Sequence, residues 1–159
     1  MNNAIMPVLQ SADLEAAIAF YTNLDFTVDF VLGDKAGKPV QAMLHTPDRL
    51  GLVMLELNKK FVRPVSDLGC FLYYTLNHGT DIDDVCQELK GKGVKIVGEI
   101  ETKFYGDRLF SFIDLDGYRW TVAKHVFDFD LNNLPDGMIN PKLINNKLVN
   151  SKELIGTNK

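Results

Sequence analysis

The stretch DLEAAIAFYTNLDF, residues 13–26, decides the fold once it is laid over DIDDVCQELKGKGV, residues 81–94. At a constant offset of 68 positions, Asp13 falls on Asp81, Leu14 on Ile82, Ala17 on Val85, Ile18 on Cys86, Tyr21 on Leu89 and Phe26 on Val94. Leu14, Ala17, Ile18 and Tyr21 stand at i, i+3, i+4 and i+7, the spacing that gathers apolar side chains on one helix face. Ile82, Val85, Cys86 and Leu89 repeat it. Each run follows a side chain able to accept from the free N–H groups of a first turn: Ser11 or Asp13 in one, Thr80 or Asp81 in the other. Gly91 and Gly93 suit the end of the second helix, where left-handed backbone often closes the last turn.

Outward from the helices lie strand-like runs. AIMPVLQ precedes the first helix, and DFTVDFVL, PVQAMLHT and GLVMLEL follow it. CFLYYTL precedes the second, and VKIVGEI, RLFSFID and YRWTVAKHV follow. These are short runs of β-branched, aromatic and other apolar residues bounded by Gly, Pro, Asp and Asn. The order strand, helix, three strands is stated twice, over residues 4–60 and 68–126. The expected class is α+β, with two βαβββ repeats forming a concave mixed sheet. DRLG (48–51) and DLDG (114–117) are expected at matching hairpins, because Asp with Gly three residues on suits a type I turn. One face of each sheet is left for a partner, in the same chain or a second copy, and two paired units make a surface that can hold a ligand. Residues 127–159 form an Asn- and Lys-rich tail with Pro135, Pro141 and no steady periodicity, expected to lie along the surface with a short helix near Lys152–Ile155.

An apolar share of 46% and a charged share of 24% are those of an ordinary globular domain, long enough to bury a core. A net charge of −4 argues against nucleic acid, which demands a basic face. No apolar run is long enough to span a bilayer, so no membrane partner is expected. MNNAIMPVLQ carries no basic leader, and Cys70 and Cys86 read as reduced, partly buried thiols of a cytoplasmic protein. Phosphate loops, Gly-x-Ser-x-Gly elbows and local Cys-His signatures do not occur.

With these elements in place, the sequence resembles the vicinal oxygen chelate superfamily of glyoxalase I, extradiol dioxygenases, fosfomycin-resistance enzymes and bleomycin-resistance binding proteins. The resemblance rests on SADLEAAIAFYTNLDF, DIDDVCQELKGKGVKI and YGDRLFSFIDLDGYRWTVAKHV, in that order. The last is similar to the family's closing hairpin, usually Asp-Pro-x-Gly, with Leu115 in place of Pro. It implies a glyoxalase-like domain over residues 1–126, on a fold that hosts many reactions.

The resemblance also implies where a metal would sit. Family ligands are His, Glu or Gln on the first and fourth strands of each unit. Matching places Met6 at the first position, Glu56 or Leu55 at the second, Tyr74 or its neighbour at the third and Thr121 at the fourth. Thioether, phenol and hydroxyl groups are poor ligands for a divalent transition metal, so the frame is expected without the metal and without a cofactor. His45, His78 and His125 have no ligand spacing.

What remains is a binding cleft. Met6 and Val8 share one side of the first strand, and Met54 joins them if Glu56 faces in. Tyr74 is placed on the same wall by analogy, Arg119 and Thr121 line the cavity from the last strand, and Phe104, Tyr105 and Arg108 are placed at the rim, Arg108 pairing either a ligand anion or a nearby acid. Trp120 is expected as core beneath a helix. The leading expectation is a metal-free protein that binds a small organic ligand, planar or cationic, with antibiotic sequestration as one form of that role. The alternative is a divalent-metal-dependent lyase, isomerase or dioxygenase. A third reading is an interaction module whose cavity is filled by Met6, Met54 and Tyr74. The resemblance implies a homodimer.

Overall fold

The computed structural model describes residues 6–62, 71–130, 133–138, 142–144 and 147–149. The first unit contains β1 (Val8–Ser11), α1 (Leu14–Asn23), β2 (Thr27–Gly33), β3 (Pro39–His45) and β4 (Leu52–Leu57). The second contains β5 (Leu72–Thr75), α2 (Ile82–Gly91), β6 (Lys95–Thr102), β7 (Asp107–Ile113) and β8 (Arg119–His125). Each unit is a four-stranded sheet, ordered β1-β4-β3-β2 and β5-β8-β7-β6. In each, the strand before the helix runs parallel to the last strand, and the remaining pairs are antiparallel. This is the α+β, twice-stated βαβββ architecture.

The repeat persists in detail. Asp13 caps α1 by accepting from the Ala16 N–H, and Asp81 caps α2 by accepting from Asp83. Ser11 instead accepts from the Asp13 N–H. After the helices, Asp25 (φ 64°) and Gly93 (φ 78°) hold matching left-handed positions. Gly91 is the last residue of α2, so Gly93 alone is the stop. The hairpin turns match from Thr46 and Asp114, not from Asp48 and Asp114. Arg49 N–H donates to the Thr46 carbonyl as Gly117 N–H does to Asp114. The first turn closes at Gly51 and is one residue longer than the second, which closes at Tyr118, and this displaces the sequence match.

α1 buries Leu14, Ala17 and Tyr21, and α2 buries Ile82, Cys86 and Leu89. Both faces feed one continuous core that includes Leu44, Leu55, Phe112, Trp120 and Val122. Each large ring buried there contributes roughly 3 kcal/mol. The units therefore dock within one chain. The Tyr21 hydroxyl donates to Asp114 Oδ2 at 2.5 Å, and Trp120 Nε1 donates to the Tyr21 oxygen at 3.1 Å. Gln10 N–H donates to the Tyr118 hydroxyl at 2.8 Å, which donates back to the Gln10 carbonyl at 3.1 Å.

Cys86 is fully buried, deeper than expected, and Cys70 lies outside the described residues. In the tail, β9 (Lys142–Ile144) and β10 (Lys147–Val149) form an antiparallel hairpin that the sequence reading did not anticipate. Its signal is a pair of apolar runs separated by Asn145-Asn146. The helix expected near 152–155 lies outside the described residues. Among those residues no helix is long and apolar enough to cross a membrane.

Candidate functional site

Strand alternation gives each sheet a face against its helix and an open face away from it. In the first sheet Leu9, Leu44, Val53 and Leu55 are buried on the helix side. The open face carries Val8 beside Met54 and Gln10 beside Glu56. Met43 flanks Met54 and Gln41 flanks Glu56 from the other side. Glu56 thus faces the open side, between two glutamines. Gln10 Oε1 accepts from Asn58 Nδ2 at 3.0 Å, which orients that amide. Met6 lies half-buried just ahead of β1.

In the second sheet Phe110, Phe112, Trp120 and Val122 turn to the helix side, and Trp120 is core as expected. The open face pairs Tyr73 with Thr121 and Thr121 with Ser111. The Ser111 and Thr121 hydroxyls lie 3.0 Å apart, and Arg119 Nη2 donates to Ser111 Oγ at 3.4 Å. A cavity of 510 Å³ opens over this face, lined by Tyr73, Tyr105, Ser111, Arg119 and Thr121 among others. At its edge the Tyr73 hydroxyl donates to Asp107 Oδ2 at 2.6 Å. Burial and that carboxylate push the phenol well above its usual range, so it acts as a neutral donor. His125 stands between Asp128 and Asp107, each 3.1 Å from a ring nitrogen, and these bonds raise its pKa.

Three placements differ from expectation. Tyr74 pairs with Val122 and faces the helix side; Tyr73 takes its place on the open face. The register taken from Asp81 was one residue off, and one residue reverses the face of a strand side chain. Burial first, then Asp48, pushes the Tyr74 phenol up to about 12. Arg108 is not at the rim. Its guanidinium makes a two-point contact with Asp83 of α2 at 2.7 and 2.9 Å. Phe104 packs against Tyr105 (5.2 Å between centroids) and Phe129 of the tail (5.5 Å), and is not among the residues lining the cavity.

Sequence reasoning missed Ser111, Gln41 and Met43. The FSF of β7 carried the signal for Ser111: a small polar residue between two phenylalanines marks the face opposite the core.

Among the described residues no group of three His, Cys, Asp or Glu side chains is placed to hold the family metal ion. Glu56 has Gln10, Gln41 and Met54 around it, and Thr121 has Ser111 and Tyr73. His45 pairs with Asp29 at 2.8 Å. One carboxylate among amides and hydroxyls does not fit a divalent transition metal.

Residues 4–122 match the model of the Glyoxalase/Bleomycin resistance protein/Dioxygenase superfamily. No curated protein matches the sequence. A glyoxalase/bleomycin resistance protein/dioxygenase from Alicyclobacillus acidocaldarius shares the fold at 18% identity and a TM-score of 0.62, over 78% of this chain and 92% of that one. A bleomycin resistance determinant encoded on the transposon Tn5 does so at 17% identity and 0.57, over 79% and 100%. The fosfomycin resistance protein FosX from Listeria monocytogenes, complexed with Mn(II) and sulfate, does so at 15% and 0.59, over 78% and 93%. At such identities the likeness carries the fold alone.

Proposed function

The chain belongs to the glyoxalase/bleomycin resistance protein/dioxygenase superfamily, and on that premise we propose that it is a small-molecule-binding protein whose ligand lies on the open sheet faces without a resident metal. The observation that supports this most is the 510 Å³ cavity over Arg119, Thr121, Ser111 and Tyr73. Its volume is that of small-ligand sites, and its floor offers several hydrogen-bond donors but no chelating set. The ligand class is a small planar organic molecule with acceptor oxygens directed at Arg119 and the hydroxyls. Its ring lies against Tyr73 and Tyr105. Sequestration of an antibiotic is the specific form of this role.

Among the described residues, those lining the cavity fall within 71–121, all in the second unit. Val8 and Phe30 remain exposed on the open side of the first sheet. A homodimer that sets Met6, Val8, Met54 and Glu56 of one protomer opposite the partner's second sheet would cover both faces. Light scattering at micromolar concentration tests this, and a monomer refutes it.

The functional test is a melting curve of EDTA-treated protein with a panel of planar ligands, then with Zn, Ni, Mn, Co and ferrous iron. A ligand at a hundred times its dissociation constant adds about 2.7 kcal/mol to stability. The expected result is a shift from an organic ligand, unaffected by EDTA and lost in Thr121→Leu. Glu56 on the open face is the one observation favouring a metal-dependent lyase, isomerase or dioxygenase. A metal-specific shift abolished by Glu56→Ala would establish that second reading and overturn the first.

A further inference from the structure

On the helix side, away from both open faces, a second cavity of 340 Å³ forms where the two units meet. It exists only because the units dock. Asp25 and Phe26, just after α1, and Asp48, in the β3–β4 turn, come from the first unit; α2, β7 and β8 supply much of the rest. Its inner wall is aromatic. Trp120 meets Phe26 edge-on (centroids 5.6 Å apart, planes at 80°) and stacks with Phe112 (6.0 Å, 1°). Val85 of α2 also lines the cavity. This volume and lining are those of a small-molecule site.

The charged groups lining the cavity select the sign of its occupant. Among the described residues, three carboxylates, Asp25, Asp48 and Glu88, line it against one ammonium, Lys92. Lys92 Nζ sits 2.7 Å from both Asp25 Oδ2 and Glu88 Oε1, so its charge is already balanced. Those two carboxylates also raise its pKa, the response of a site that favours positive charge. Asp48 accepts from the Thr46 hydroxyl and the Leu50 N–H, both neutral donors that bring no positive charge to it. An anion would meet excess negative charge here. A cation gains from the carboxylates and from the negative faces of the rings.

We propose that the junction between the two units is a binding site for a small planar organic cation, its ring against Phe112 and Trp120 and its charge directed to Asp48 and Glu88. The site is separate from the open-face cavity, and either stands if the other fails.

Trp120 is the chain's only tryptophan, so its fluorescence reports on this wall alone. The experiment titrates the full chain with 1-methylquinolinium, neutral quinoline and quinoline-4-carboxylate, following saturable quenching and confirming it by calorimetry. The cation is expected to bind about tenfold tighter than quinoline, and the carboxylate weaker still. Val85→Phe, which fills the cavity without adding an indole, should weaken the cation at least about tenfold. Lys92→Gln removes the local ammonium and should strengthen it about threefold. Thr121→Leu, on the open face, should leave it unchanged. Because a gain of affinity cannot come from misfolding, Lys92→Gln decides the matter if Val85→Phe does not fold. Equal binding of quinoline, binding undiminished in folded Val85→Phe, no gain in Lys92→Gln, or loss in Thr121→Leu each overturns the proposal. So does a dimer that Val85→Phe dissociates in a protein that binds no cation, since a second copy would then be the occupant.

Discussion

Tyr21→Phe removes a single oxygen from the junction of the two units and leaves the ring in place. That oxygen has two partners. It donates to Asp114 Oδ2 at 2.5 Å and accepts from Trp120 Nε1 at 3.1 Å, and all three residues are buried. A hydrogen bond to a charged group contributes about 1.5–3 kcal/mol, and a buried donor left without an acceptor costs about 1–3 kcal/mol. Asp114 keeps two backbone donors on Oδ1, from Asp116 and Tyr118, so the carboxylate retains partners on one oxygen while Oδ2 loses its own. The phenol also no longer has to be desolvated. The net loss is therefore expected at about 2–4 kcal/mol. For a chain of this size that lowers the melting temperature by roughly 5–15 °C. The assay is urea unfolding followed by circular dichroism, where the midpoint should fall while the slope stays constant. A double-mutant cycle with Asp114→Asn should show coupling of about 1–2 kcal/mol. A loss under about 1 kcal/mol with no coupling would refute the reasoning, because it would mean that water reaches these groups.

The same carboxyl gives a pH signature. Burial first, outweighing its hydrogen bonds, raises the Asp114 pKa, so the folded state holds its proton more tightly than the unfolded state. Its contribution to stability therefore falls as pH rises from about 3.9 through the folded value. Asp114→Asn should gain on the parent across that window in paired urea titrations, and a constant difference would count against it. Arg49 holds φ 61° where the second unit has Gly117 at φ 93°. Arg49→Gly should stabilise by about 0.5–1 kcal/mol, strain relief exceeding the entropy of glycine, and Gly93→Ala, with nothing within 4 Å of its Cβ, should cost about 1 kcal/mol from φ alone. Chemical denaturation of both variants tests the sign of each. For His125, carboxylates on both ring nitrogens should put its NMR-titrated pKa above 6.5, with Asp128→Asn lowering it. Its stabilising contribution is complete below about pH 6.5 and is lost as pH rises through the folded value.

The duplicated helix pattern was sufficient to read the fold. Leu14, Ala17 and Tyr21, with Ile82, Cys86 and Leu89, form the buried stripes that their spacing implies, and Asp13 and Asp81 cap where the local pattern says. These features depend on three or four neighbouring residues, so they survive without any tertiary context. The hairpin of β9 and β10 was also legible, in the Asn pair between two apolar runs, but composition hid it. Which way a given side chain faces was legible only where the strand register was certain. Thr121 and Arg119 followed from the turn just before them, whereas Tyr74 followed from a cap seven residues away and fell on the wrong face. Arg108 found Asp83 of α2, 25 positions earlier in the chain, and no spacing rule joins them. The junction cavity lies furthest from the sequence. Phe26, Asp48, Glu88 and Trp120 meet only after two separately readable units dock. Periodicity sets which residues are buried within a unit, but the docking angle between units is decided by long-range packing and by single bonds such as Tyr21 to Asp114. Those energies exist only in the assembled tertiary structure.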